Sequence, residues 1–123
     1  MSENAIAIIG VGYVGLPLAL ALARHHGDVI AYDLDAARIE GLRSGIDRNE
    51  TDDIPLDAPA TLHFTSDRTD LARASAYIVT VPTPIDADRR PDLTPIRNAC
   101  GDIAKVIARG DLVVLESTVY PGV

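Results

Sequence analysis

The run over residues 5–19, AIAIIGVGYVGLPLA, constrains the fold more than any other part of this 123-residue chain. A short apolar strand empties into Gly10, Gly12 and Gly15, and an uncharged helix follows. Each glycine in that spacing has a mechanical reason. Gly10 permits the tight turn from strand to helix, Gly12 lets backbone approach a pyrophosphate closely, and Gly15 lets helix and strand pack together. The first amides of a helix have no carbonyl upstream to bond, and the helix dipole makes that end positive, so an anion is favoured there. Tyr13 and Val14 therefore contribute through backbone rather than side chain.

Glycines so spaced also serve ordinary turns, and the context decides between the two uses. A second apolar run, VIAYD, ends at Asp33. From that position a carboxylate can accept hydrogen bonds from the adenosine ribose hydroxyls. Strand, glycine turn, helix, strand and acid in this order point to a dinucleotide. The charge of Asp33 would repel a 2′-phosphate and so favours NAD over NADP, although Arg38 nearby pulls the other way.

With 47% hydrophobic and 24% charged residues the chain reads as one ordinary globular domain with one core. Its apolar stretches are broken by glycine, proline or charge well before the ~18 residues needed to span a bilayer, and the N-terminus lacks the basic head of a signal peptide. A cytoplasmic protein with no membrane partner is the expectation. A formal net charge of -7 without a basic stripe excludes nucleic acid, because phosphate binding depends on Lys and Arg. The single cysteine, Cys100, cannot form an internal disulfide, and no Cys or His spacing suggests a metal site.

Apolar, β-rich runs at residues 5–9, 28–33, 62–65, 76–81 and 111–116 alternate with mostly helical patterns, which predicts a parallel sheet. Right-handed crossovers would give the spatial order 3-2-1-4-5, with a ligand crevice between the first and fourth strands. This is an α/β, Rossmann-type doubly wound parallel sheet, truncated after about five strands. The first helix, residues 13–25, has no charge between Leu16 and Ala23 and is expected to be buried nearly all round. The second, residues 35–44, turns Ala36, Ile39 and Leu42 to the sheet and stops near Gly45. Residues 45–60 are acidic and proline-containing, and read as a surface loop. Ser66 and Asp67 can cap a short helix before the fourth strand. Thr94 and Pro95 read as a cap and a first-turn proline of a last helix ended by Gly110. The i, i+3, i+4 series Ile96, Ala99, Cys100, Ile103, Ala104, Ile107 places Cys100 on its apolar face, as a small hydrophobe rather than a nucleophile. His25, His26 and His63 have no recognisable catalytic partner.

Two further segments close predicted strands at the edge where open α/β sheets bind ligands: VPTPI from Val81 and ESTVYPG from Glu116. Prolines and threonines often simply end strands, but these two flank the crevice that the glycine turn implies. GVGYVGLPLA, AYDLDAARI, VPTPID, PDLTPI and ESTVYPG together resemble the N-terminal NAD domain of the UDP-glucose/GDP-mannose dehydrogenase family over essentially the whole chain. Within it they are most similar to the UDP-N-acetylhexosamine 6-dehydrogenases of bacterial O-antigen or Vi-type capsular polysaccharide synthesis.

The resemblance implies that Gly10, Val11, Gly12, Tyr13, Val14 and Gly15 surround the pyrophosphate and that Asp33 and Arg38 lie at the adenosine ribose. It also implies that Val81, Pro82 and Thr83 lie beside the cofactor and Ser117 and Thr118 near the nicotinamide. Thr118 matches a family threonine associated with the catalytic water. Such enzymes oxidise the C6 alcohol of a UDP-sugar to a carboxylate with two NAD, through a thiohemiacetal on cysteine, and the full-length protein is expected to be a homodimer. Cys100 matches none of the family's catalytic residues. Residues 1–123 are therefore expected to be the NAD-binding fragment of a longer enzyme, inactive alone, with the central and C-terminal UDP-sugar domains absent. The alternative is a stand-alone NAD-sensing regulatory domain, which uses the same turn and acid but has no need of the two proline–threonine segments.

Overall fold

A computed structural model describes residues 5–12, 14–48, 53–55, 59–81, 92–107 and 110–116. Five strands form one parallel sheet: β1 (Ala5–Ile9), β2 (Val29–Tyr32), β5 (Leu62–Thr65), β6 (Ala74–Val79) and β7 (Leu112–Leu115). Their order is β5-β2-β1-β6-β7, the 3-2-1-4-5 arrangement expected of right-handed crossovers. The first strand takes the centre, pairing with β2 from Ile6↔Val29 to Ile9↔Tyr32 and with β6 up to Ile9↔Val79. Consecutive side chains of a strand point to opposite faces, so a central parallel strand must be apolar on both. Ala5, Ala7 and Ile9 enter one core with Ile30, Tyr32, Leu71, Tyr77 and Val79, whereas Ile8 enters the other with Val11, Val29 and Ala31.

Helices α1 (Gly15–His25) and α2 (Ala36–Arg43) supply the second core with Leu16, Ala19, Ala23, Ile39 and Leu42. The first core is closed by α3 (Thr94–Ala104) through Ala99 and Ile103, and by Leu71 of a 3-10 turn over Arg68–Arg73. Asp67 caps that turn as expected, its side chain accepting from the Thr69 amide. The Thr69 hydroxyl, which also donates to Asp67, and the Thr69 amide together hold the Asp67 carboxyl below its ordinary value.

Several expectations need correction. Only one side of α1 is buried: Pro17, Ala21 and Arg24 lie on an exposed face, because the helix is covered by the sheet and by nothing described on its far side. Ala36 is exposed, since the Asp35 cap lifts the first turn of α2 clear of the sheet and leaves Ile39 and Leu42 to make the contact. Residues 45–60 are not all loop, because Ile46–Arg48 (β3) pairs antiparallel with Asp53–Pro55 (β4). Composition hid that ribbon: its two three-residue strands, Ile46–Arg48 and Asp53–Pro55, are too short for a periodic pattern to show.

Thr94 is inside α3 rather than its cap, and its amide is met by the Asp92 side chain at 2.9 Å. Cys100 is exposed, not buried. The buried stripe of α3 is the narrow set Ile96, Ala99 and Ile103, because the helix leans on β6 and leaves the flank carrying Cys100, Ala104 and Ile107 open. Edge strand β7 shows the same openness, with Leu112 59% and Val113 43% exposed.

Ile8 is fully enclosed between the sheet centre and α1. Ile8→Ala should lower stability by about 2–5 kcal/mol, the range for a large-to-small change at a buried site. Urea unfolding is the check, with a lower midpoint and an unchanged slope as the expected outcome.

Candidate functional site: a cleft over the glycine turn

The turn after β1 opens at the carboxyl edge of the sheet, between β1 and β6. Gly10 has φ +99, a conformation side chains rarely adopt, and a Cβ there would meet Val81 backbone at 3.0 Å. The closest approach is at Gly15. A Cβ on Gly15 would fall on the Gly10 carbonyl and 2.5 Å from the Thr80 hydroxyl, so only glycine lets the helix start this near the strand end. A Cβ on Gly12 would meet no atom of the described residues within 4 Å. The space above Gly12 is open, as the close approach of a ligand to backbone requires.

Polar groups of the turn are distributed in a consistent way. The Ile9 carbonyl accepts from the Thr80 amide at 2.9 Å, and the Gly10 carbonyl accepts from the Thr80 hydroxyl at 2.6 Å. The Val11 carbonyl accepts from Arg38 Nε and Nη2 at 3.2 and 2.8 Å. Three successive carbonyls are thereby tied to protein donors. The Gly12 carbonyl begins the helix by accepting from the Leu16 amide at 3.1 Å, which leaves the first-turn donors of α1 at the open side.

Asp33 holds the other half of the Val11 residue. Its Oδ2 accepts from the Val11 amide and its Oδ1 from the Asp35 amide, both at 3.0 Å. A carboxylate oxygen has two lone-pair directions, so each retains one acceptor site. Arg38 is positioned by the N-terminus of α2, where Asp35 accepts from the Ala37 and Arg38 amides. With Nε and Nη2 on the Val11 carbonyl, Arg38 acts on the turn itself.

The cleft has a volume of about 490 Å³. Of the expected residues, Gly10, Val11, Gly12, Val14, Asp33, Arg38 and Val81 line it, and Gly15 is buried behind them. Tyr13, Pro82, Thr83, Ser117 and Thr118 lie outside the described residues. Sequence reasoning missed Thr80, a polar residue directly after a buried strand at the ligand edge, and that position was its signal. It also missed Tyr32 and Asp102, for which no local signal exists at a separation of 70 residues. Tyr32 is 2% exposed and its hydroxyl donates to Asp102 Oδ2 at 3.0 Å. Burial pushes the Tyr32 phenol up to about 12, helped by the bond to Asp102 and its charge and opposed by Arg68. Among the described residues no group of three or more His, Cys, Asp or Glu is placed to hold a metal, and no helix is long and apolar enough to cross a membrane.

Thr80→Val removes the donor to a buried carbonyl at almost constant volume. It should cost about 1–3 kcal/mol in denaturant unfolding, with Thr80→Ser restoring most of the loss. For Tyr32 the folded state favours the neutral phenol. Its stabilisation is complete below pH 10 and is lost as the pH rises towards about 12. An ultraviolet titration should show a late phenolate that Tyr32→Phe deletes and Asp102→Asn moves down.

The chain matches the UDP-glucose/GDP-mannose dehydrogenase family NAD binding domain over residues 4–123. It is 46% identical over 123 residues to the UDP-N-acetyl-D-glucosamine 6-dehydrogenases of Pseudomonas aeruginosa and Salmonella typhi, covering 99% of this chain and 29% of each relative. The UDP-D-ManNAc dehydrogenase of Pyrococcus horikoshii superposes with a TM-score of 0.85 at 33% identity, covering 96% of this chain and 29% of that structure. The chain thus spans under a third of the length of these relatives. With the glycine turn and the acid after β2 in place, the chain belongs to the UDP-glucose/GDP-mannose dehydrogenase family, matching its NAD binding domain.

Proposed function

We propose that this chain is the cofactor-holding part of a nucleotide-sugar 6-dehydrogenase. The proposed substrate is a UDP-N-acetylhexosamine, whose C6 alcohol is oxidised to a carboxylate with two NAD for bacterial surface polysaccharide synthesis. The names of the relatives at 46% identity support the substrate class. The family match favours a dehydrogenase over a stand-alone sensor. The sugar-binding domains and the nucleophilic cysteine of this proposal belong to polypeptide outside residues 1–123. Cys100, exposed on α3, lines no part of the cleft. The complete enzyme is proposed to be a cytoplasmic homodimer.

One observation carries the cofactor half of the reading: the carbonyls of Ile9, Gly10 and Val11 are all bonded to protein donors, while the space over Gly12 is open. Main-chain donors of Gly12, Tyr13 and Val14 would then face a diphosphate, with Gly10 and Gly15 shaping the turn. Asp33 would accept from the ribose hydroxyls. Val11 and Arg38 would keep that carboxylate and the turn in register. Val81, Pro82, Thr83 and Ser117 are proposed to flank the rest of the cofactor, and Thr118 to act with the catalytic water. When bound, the dinucleotide supplies a hydride acceptor. The chain's own part is to orient it and to reject its phosphorylated analogue.

Calorimetry tests this. NAD should bind, and NADP should bind at least about tenfold more weakly, because a 2′-phosphate would meet the Asp33 carboxylate. Equal affinities would overturn the assignment of Asp33. With UDP-N-acetylglucosamine and NAD the chain alone should form no NADH; sustained NADH formation would refute the division of labour proposed here.

A further inference from the structure

Beyond the turn, α3 contributes a stripe to the cleft. Pro95, Ala99 and Asp102 recur at i, i+4 and i+7, and all three line it. The first two add apolar surface to a cleft that Leu34 and Val81 also line. Asp102 ends it with a charge. Its side chain is only 15% exposed, and two contacts from different elements fix its direction. Tyr32 at the end of β2 donates to Oδ2 at 3.0 Å, and Arg68 of the 3-10 turn stands 3.7 Å from Oδ1. Asp102 and Asp33 line the same cleft, Asp102 from α3, where the Tyr32 side chain reaches it.

A part-buried carboxylate costs desolvation that its partners must offset. It accepts hydrogen bonds and donates none. After the Tyr32 bond, acceptor directions remain on both oxygens. A flat group entering the cleft, which Leu34, Pro95 and Ala99 line with apolar surface, can therefore meet an acceptor in Asp102. We propose that Asp102 is a base-selecting residue, its carboxylate accepting from the exocyclic amino group of adenine and disfavouring a purine with a carbonyl there. Tyr32 and Arg68 are positioning residues that aim it. The inference rests on the reading of this cleft as the NAD site and adds to it the group that chooses the base.

The test compares NAD with nicotinamide hypoxanthine dinucleotide, which carries an oxygen in place of the amino group, by calorimetric titration of this chain and its variants. The unsubstituted chain should prefer NAD by about tenfold, the size of one hydrogen bond exchanged for a repulsion. Asp102→Asn should bring the ratio near one, because its amide can donate to the oxygen. Tyr32→Phe leaves the carboxylate but not its aim, and should give an intermediate ratio. A purely structural Asp102 would lower the melting temperature and both affinities together, with the ratio unchanged, and that result overturns the proposal. So do equal affinities in the unsubstituted chain, a measurement that needs no variant to fold. NAD binding without discrimination removes only the role of Asp102, whereas binding of neither dinucleotide removes the cofactor reading as well.

Discussion

The contact on which the rest of the molecule depends is the one among Gly15, the Gly10 carbonyl and the Thr80 hydroxyl. Packing a helix start against the end of its own strand leaves no volume for a side chain, and it buries a carbonyl that must then find a donor. Thr80 is that donor. Because it stands at the end of β6, the bond also closes β1 to its other neighbour one residue beyond the ladder, continuing the pairing Ile9↔Val79. The crevice at the switch point of the sheet is thereby given a rigid floor.

Electrostatics at that floor follow from where the chain spends its donors. Val11 is held at both ends, its amide by Asp33 and its carbonyl by Arg38. The pair belongs to β2 and α2, so the second βα unit sets the first turn. Among the described residues lining the cleft, Arg38 is the cation, beside Asp33, Asp35, Asp102 and Glu116. An acidic rim suits a ligand whose negative charge sits in the middle and whose ends carry hydroxyl donors and rings, none of them anionic.

The sheet and its order were legible in the sequence because buried parallel strands are nearly continuous apolar runs and crossover handedness leaves little choice. Strand ends were less so. β6 begins at Ala74, two residues before its apolar run, because the ladder with β1 steps over Ser75, shifting register between Ala5↔Ala74 and Ile6↔Ala76. Cys100 was misplaced because helical periodicity marks a face but not how wide the contact is. The β3–β4 ribbon was missed because acidic composition says where a segment is wet, not whether it pairs.

Glycine spacing, the acid closing the second strand and the alternation of strands with helices determined the fold, the position of the cleft and the class of ligand, since each is a local or nearest-neighbour property of the chain. Only the tertiary structure decided the work of Thr80, the turn of Arg38 onto Val11 rather than towards solvent, and the meeting of Tyr32 with Asp102. Those depend on side chains converging from elements far apart in sequence, and a hydrogen bond is specified by distance and direction, which no spacing along a chain encodes.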